Sequence, residues 1–261
     1  QYTLSLHDAL PISPMAPLRL PRAPRPAGAI GRRAGGRLWG RAVSPLDPLF
    51  IAACLGTGVL AGTAAGLLGV GGGLIIVPVL AELLPRAGLD PGIVMQTAVG
   101  TSLASIVVTG LASARAHHRR GAVRLDLLRA LVPGMVLGAV AASLIAESLS
   151  GAALRAAYGA FAAVVAVEML FGIAPRGGRR LPGAAGLTGV GGGIGLLSAL
   201  VGVGGGTLTV PFLAWCRVPM QHAVGTAAAT GPPIALAGAA GLVVLGWSDP
   251  RLPAAASGYV L

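Results

Sequence analysis

The sequence predicts an all-α, polytopic helical membrane protein, and three observations carry this prediction. Hydrophobic residues make up 54% of the 261 residues and charged residues only 10%, against about 25% charged in an ordinary soluble domain. The mean hydropathy is +0.81. The apolar residues are grouped into stretches of about 20, the length of helix that crosses roughly 30 Å of hydrocarbon. A water-soluble globular protein is therefore excluded.

The charged residues exclude several kinds of site. All 19 basic residues are Arg, so a P-loop, a Schiff base and a lysine general base are ruled out. The net charge of +11 would suit nucleic acid, but the chain has only 3 Trp, 3 Tyr and 4 Phe. The Arg residues also fall between the apolar stretches, so membrane topology explains the charge better. No nucleic-acid partner is expected.

Metal sites and catalytic constellations are not predicted either. Cys54 and Cys216 are too few for a disulfide framework or a metal cluster, and each lies in an apolar stretch. The apolar region holds no His-Glu-x-x-His, Gly-x-Ser-x-Gly or Cys-x-x-Cys motif and no pair of acids. We expect no catalytic residues, no metal and no cofactor, and hence not an enzyme.

Residues 1–47 are predicted to be a disordered or juxtamembrane tail. This part is rich in Pro, holds seven Arg and has no acid between Asp8 and Asp47. It lacks the apolar core of a secretory signal, whereas an organellar transit peptide is an alternative. Met15 is a candidate start, which leaves the origin of residues 1–14 open. The membrane region is then divided into a first repeat, 48–181, and a second repeat, 182–261.

The apolar stretches lie at 49–68, 74–84, 93–114, 127–149, 152–174, 184–201, 207–215 and 223–245. The intervals 114–127 and 175–181 are rich in Arg, so the positive-inside tendency places both, with the tail, in the cytoplasm. His117 and His118 are interpreted as part of that solvated charged face and not as metal ligands. We expect a multi-pass protein of the cell membrane, of the bacterial inner-membrane type.

An internal repeat is the strongest pattern in the chain. Residues 69–80, GVGGGLIIVPVL, recur at 202–213 as GVGGGTLTVPFL, 133 residues later. Residues 96–102, QTAVGTS, recur at 221–227 as QHAVGTA, 125 residues later. Two ordered motifs with matching Pro and Gln indicate two homologous halves. A third string, 189–193, lacks the Val-Pro. Gly191 and Gly195, with their counterparts Gly58 and Gly62 in the first half, are assigned to close helix packing.

The repeated glycines predict a broken helix in each half. Each Gly costs about 1 kcal/mol relative to Ala in a helix, so the chain should unwind at both runs. The helix that restarts at Leu74 or Thr207 then directs its N-terminal N–H groups back at the break, which favours an anion. Pro78 and Pro211 should kink these short helices. Tight packing alone is the alternative role of the glycines.

The second motif contributes polar side chains inside the membrane. Gln96 and Gln221 offer amides, and Thr101 and Thr226 offer hydroxyls. His222, which replaces Thr97, is either a proton carrier or a hydrogen-bonded structural residue. Glu168 either reaches toward the Arg-rich interval or serves a coupling ion. Arg129 and Arg155 lie near segment starts, so we expect backbone N–H groups, and no charged side chain, to recognise the anion.

These motifs resemble the sulfite exporter TauE/SafE family of membrane permeases, whose members carry a duplicated Gly-x-Gly-Gly-Gly…Pro element, each followed by a Gly-Thr-Ser-like stretch. The resemblance covers the chain from about Leu49 to its end. It implies transport of sulfite, sulfonates or sulfoacetate-like anions, and it implies that the following residues line the permeation site: Gly69, Gly71, Gly72, Gly73, Pro78, Gly100, Thr101, Ser102, Gly202, Gly204, Gly205, Gly206, Pro211, Gly225 and Thr226. Ala227 departs from the pattern where the first half has Ser102.

We therefore expect a membrane transporter of small anions that binds its substrate at the two glycine-broken helices. A non-transporting assembly or signalling subunit is the alternative. The expected partners are the lipid bilayer, a small anion and, as an open question, a coupling proton or cation; the oligomeric state is left open. We also expect a truncated second repeat, because 258–261 resembles 121–124 and only the latter leads into two further helices. The two halves are expected to run in the same direction across the membrane.

Overall fold

The computed structural model describes residues 56, 58, 72–171, 178, 180–253 and 256–261, without the side chain of Met169. These residues belong to one compact unit. The tail 1–47 lies outside the described residues, as do the break residues 69 and 71 and most of the stretch 49–68. The expectations on those positions stay predictions.

The described part of the chain is helical, which confirms the predicted all-α membrane fold. Its seven helices are α1 (Gly73–Arg86), α2 (Val94–Arg119), α3 (Leu125–Ser148), α4 (Gly151–Phe171), α5 (Ala184–Val201), α6 (Gly206–Trp215) and α7 (Met220–Gly246). Five of them, α2, α3, α4, α5 and α7, are long and apolar enough to cross a membrane. The protein is therefore a multi-pass membrane protein.

The loop within the interval 114–127 is shorter than the sequence suggests. Helix α2 continues to Arg119, and His117, His118 and Arg119 form its last turn. Cationic side chains at a helix C-terminus interact favourably with the helix dipole, which explains why charge does not end this helix. The connection to α3 is therefore only residues 120–124.

Helices α3 and α5 run parallel in close contact. A Cβ atom at Gly134 would overlap the carbonyl oxygen of Thr188, and one at Gly138 would overlap that of Gly192. Gly191 and Gly195 approach the carbonyl oxygens of Leu131 and Met135 in the same way. The packing role predicted for Gly191 and Gly195 is confirmed. Their counterpart Gly62 lies outside the described residues.

Helices α2 and α7 run antiparallel to each other. Leu103 of α2 contacts Gly238 of α7, and Gly110, further along α2, contacts Pro232, which comes earlier in α7. Helix α3 is parallel to α7, because Thr226 contacts the start of α3 and Gly238 contacts Ser143 near its end. Helices α5 and α7 therefore point the same way.

The short helix α6 consequently leads the chain back toward the side from which α5 enters. Because α6 connects two parallel helices, it must run antiparallel to both of them. The expectation that the two halves run in the same direction across the membrane is wrong. Helices α2 and α7 carry equivalent copies of the second motif and point in opposite directions. The charges of the loops did not distinguish a parallel from an inverted arrangement of the halves. The loop after α7 would have decided, but its Asp249 and Arg251 cancel.

The two ends of the bundle differ in charge. One end gathers the C-terminus of α2 and the N-termini of α3, α5 and α7, and it carries Arg115, Arg119, Arg120, Arg124, Arg180 and Arg217. At the other end, four acids balance three Arg: Glu82, Asp90, Glu147 and Asp249 with Arg86, Arg155 and Arg251. The positive-inside rule assigns the first end to the cytoplasm.

Candidate functional site

The two glycine breaks touch each other in the interior of the bundle. Gly73 is the first residue of α1, and Gly202 follows the last residue of α5. A Cβ atom at Gly73 would overlap the carbonyl oxygen of Gly202 and lie 3.0 Å from Cα of Val203. A Cβ atom at Gly202 would lie 2.9 Å from Cγ2 of Val77 and 3.2 Å from Cα of Val99. Backbone segments about 130 residues apart in sequence thus meet without intervening side chains.

The second break is described in full, and two of its glycines require their residue type. Gly202 ends α5 with φ 76° and ψ 30°, and Gly205 precedes α6 with φ 65° and ψ −24°. L-residues rarely adopt a positive φ, whereas Gly does so at no steric cost. The predicted unwinding of the helix between Val201 and Gly206 is therefore present. A Cβ atom added at Gly205 would also lie 2.6 Å from Cδ1 of Ile234, near the middle of α7.

The N–H groups at the second break have specific partners. Gly205 N–H donates to the carbonyl oxygen of Val203 at 2.9 Å, and Gly206 N–H donates to that of Gly204 at 2.6 Å. These two donors are engaged in the turn itself in this conformation.

The first break begins differently. Gly72 has helical φ −61° and ψ −26°, and among the described residues a Cβ atom there would meet only Cδ1 of Ile76, at an ordinary 3.5 Å. Any L-residue can adopt this backbone conformation. The demanding position is Gly73. Tyr158 of α4 donates its hydroxyl to the carbonyl oxygen of Leu74 at 2.6 Å, which holds the first turn of α1.

Ser102 is the member of the second motif that contacts a break directly. Its hydroxyl is fully buried and donates to the carbonyl oxygen of Gly202 at 2.9 Å. The structure therefore brings Ser102 together with Gly73 and Gly202, as a site built from both motifs requires. Pro78 and Pro211 lie inside α1 and α6, as predicted.

The Gly-Thr pairs of the second motif hold loops of the opposite half. Thr226 accepts a hydrogen bond from Arg124 N–H at 3.0 Å, and an added Cβ at Gly225 would lie 2.6 Å from the carbonyl oxygen of Ala122. Thr101 accepts one from Leu261 N–H at 3.1 Å. Gly100 packs against the carbonyl oxygen of Tyr259 in the same manner, completing a reciprocal set of contacts.

We call these two sets of contacts the clasps. The inner clasp is residues 225–226 with 121–124, and the outer clasp is residues 100–101 with 258–261. Both loops turn at a glycine with positive φ, Gly121 at 68° and Gly258 at 58°. The clasp contacts give Gly100, Thr101, Gly225 and Thr226 a structural role that motif spacing alone did not reveal.

The two glutamines and His222 lie away from the breaks. Gln96 donates its amide to the carbonyl oxygens of Leu149 at 3.0 Å and Ala146 at 3.4 Å, so it caps the C-terminus of α3. Gln221 is exposed. His222 contacts the carbonyl oxygen of Ala122 through Nδ1 at 3.1 Å. This contact favours the structural role of His222 that the sequence left open.

The buried polar side chains of the described residues are all uncharged: Gln96, Thr97, Ser102, Ser143, Ser198, Thr209, Thr226 and Thr230. Arg129 and Arg155 are exposed, and Glu168 is half-buried one turn before α4 ends. Within the described ranges, no group of three His, Cys, Asp or Glu side chains is placed to hold a metal ion. Of the described residues, a ligand at the breaks would thus meet dipoles and hydroxyls and no buried charged side chain.

Comparison with known proteins identifies the family. The family model for the sulfite exporter TauE/SafE matches residues 54–261, which includes both motifs. The chain belongs to the sulfite exporter TauE/SafE family. A probable membrane transporter protein of Haemophilus influenzae is 35% identical over 213 residues, covering 81% of this chain and 80% of the relative. Further relatives are also named probable membrane transporter proteins.

One of these relatives, a probable membrane transporter protein of Xylella fastidiosa, is 33% identical over 66% of each chain. Another, the probable membrane transporter protein YunE of Bacillus subtilis, is 38% identical over 33% of each chain. No solved structure matches the chain. The family assignment therefore rests on sequence, and it establishes a membrane transporter of the TauE/SafE type.

Proposed function

We propose that the protein carries small sulfur-containing or organic anions, such as sulfite, sulfonates or sulfoacetate-like compounds, and binds them where the two glycine breaks meet. One observation supports this most strongly. The N-terminus of α1 touches the turn from which α6 starts, in an interior whose polar side chains are all neutral among the described residues. Each helix N-terminus acts as roughly half a positive charge. Together they favour a bound anion.

The direction of the helices suits a carrier. Helix α6 starts at the second break and runs toward the cytoplasmic end, whereas α1 starts at the first break and runs toward the opposite end. Broken helices that approach from opposite sides and meet at mid-depth are a recurring arrangement in transporters with inverted repeats. We infer that the two halves are such repeats and that access alternates between the ends while the breaks hold the anion.

Uptake into proteoliposomes tests the proposal with labelled sulfite and methanesulfonate. The informative variant is Gly205→Ala, because a side chain there is strained by the positive φ and by Ile234. The matched control is Gly193→Ala in α5, an exposed glycine of a similar Gly-Gly-Gly string with open space around it. We expect uptake by the parent and by Gly193→Ala, and loss in Gly205→Ala at equal membrane abundance.

Two outcomes would count against the proposal. Equal uptake by Gly205→Ala and Gly193→Ala would show that the break does not bind the anion. Absence of uptake of any tested anion by the folded parent protein would favour the assembly or signalling alternative.

A further inference from the structure

Thr209 of α6 is a buried polar residue for which the fold alone gives no reason. Its side chain is 0% exposed. Its Oγ1 atom has no hydrogen-bond partner among the described residues, whereas Thr97, Thr226 and Thr230, equally buried, each have one. A buried hydroxyl without a partner is costly, so native proteins rarely keep one without a use.

Thr209 lies beside the second break. Helix α6 begins at Gly206, so Thr209 lies in its first turn. Side chains on a helix tilt toward the N-terminus of that helix, which here is the break itself. The backbone N–H of Thr209 is engaged with the carbonyl oxygen of Gly205 at 3.0 Å, which places the residue directly beside the turn.

The first copy of the motif has no such group. Thr207 and Thr209 occupy the positions that Leu74 and Ile76 occupy 133 residues earlier. The first turn of α1 therefore has an apolar side chain at the position where the first turn of α6 has the Thr209 hydroxyl. The motif is repeated in its glycines and proline but not in its hydrogen-bonding side chains.

We propose that Thr209 donates a side-chain hydrogen bond to the bound anion, so that specific recognition belongs to the second break while the first break contributes backbone dipole. This inference rests on the proposed function and deepens it. The ligand chemistry that fits is a small oxyanion, because an anionic oxygen accepts from a hydroxyl and from helix N–H groups at the same time. Thr209 lies outside the repeated Gly and Pro positions, and its signal in the sequence is the difference from Ile76 in the first copy.

The test uses the full chain in detergent, with methanesulfonate as the probe, and measures both the thermal midpoint and the Kd. Thr209→Val keeps the shape and removes the hydroxyl, and Thr209→Ser keeps the hydroxyl. We expect Thr209→Val to weaken methanesulfonate binding about 10- to 100-fold, the worth of one hydrogen bond to a charged group. Thr209→Ser should stay within about threefold of the parent.

The thermal midpoint without anion distinguishes a ligand-binding hydroxyl from a structural one. Removing an unpartnered hydroxyl should leave the midpoint of Thr209→Val unchanged or raise it. The matched control is Thr97→Val, which removes an equally buried hydroxyl that donates to the carbonyl oxygen of Ile93 at 2.9 Å. Thr97→Val should keep the parent Kd for methanesulfonate.

The outcomes separate the two proposals. If the parent binds methanesulfonate and Thr209→Val binds it equally well, the role of Thr209 is refuted and the proposed function stands. A midpoint that falls in anion-free Thr209→Val, with Kd unchanged relative to Thr209→Ser, would likewise assign the hydroxyl to the fold. If the folded parent and Thr209→Ser bind neither methanesulfonate nor sulfite, the proposed function itself fails.

Discussion

Gly73, the first residue of α1, packs directly against the carbonyl oxygen of Gly202, the residue that ends α5. The neighbouring Gly72 has room for a Cβ atom. We predict that Gly73→Ala loses most of its anion uptake, because the added methyl group separates the two breaks. Gly72→Ala should retain more uptake than Gly73→Ala. Proteoliposome uptake at matched protein content measures this difference, and equal loss in both variants would contradict the close contact.

The packing of α3 against α5 leads to a prediction about stability. Gly191 would overlap the carbonyl oxygen of Leu131 if it carried a Cβ atom, whereas Gly189, two residues away, faces open space. Forcing a methyl group into such a contact costs about 1–3 kcal/mol. We expect Gly191→Ala to lower the thermal midpoint of the purified protein and Gly189→Ala to leave it nearly unchanged. A lower midpoint for Gly189→Ala alone would overturn the assignment of this string to packing.

The orientation of α2 and α7 can be tested by labelling. Position 118 is in the last turn of α2, at the Arg-rich end, and position 248 follows α7 at the other end. We predict that single cysteines at His118 and Ser248, with Cys54 and Cys216 replaced, react from opposite sides of the membrane. The cysteine at 118 should be cytoplasmic. Labelling of both from one side would contradict the antiparallel arrangement.

Periodicity and repeats predicted much of this molecule, because membrane helices are specified by local apolar length. The positions of the seven described helices and of the second break follow from hydropathy and glycine runs alone. Direction was harder: charge counts could not tell whether α6 crosses the membrane, whereas the contacts of α3 with α5 and α7 settle it. The clasp contacts could not be predicted from the sequence either, because Thr101 and Thr226 bind backbone groups that are distant in sequence.

The outer clasp is stabilised by a charged network that should respond to pH. Arg251 donates to Asp249 at 2.6 Å and the Tyr259 hydroxyl donates to it at 2.9 Å. The hydrogen bond from Arg251 holds the pKa of Asp249 well below the ordinary aspartate value. Because its pKa is lowered in the folded state, the charged Asp249 stabilises the folded state at pH values above the ordinary aspartate pKa of about 3.9. This stabilisation is lost as the pH falls through the folded-state pKa.

We therefore predict that residues 256–261 keep their protection from hydrogen exchange between about pH 7 and pH 5 and lose it only in stronger acid. Asp249→Asn removes the charge and should expose these residues at every pH in that range. Hydrogen-exchange mass spectrometry of the C-terminal peptide, corrected for the intrinsic pH dependence of exchange, measures both. Loss of protection in the parent already near pH 6 would show that Asp249 does not hold the clasp.

The location of a bound anion tests the central claim most directly. A crystal of the protein with 2-bromoethanesulfonate shows the ligand by the anomalous signal of its bromine. We predict that the sulfonate lies at the first turn of α6, within hydrogen-bond distance of Thr209 and beside the contact between Gly73 and Gly202. A sulfonate held instead by Arg side chains at the cytoplasmic end, such as Arg119 or Arg124, with none at the breaks, would contradict the account.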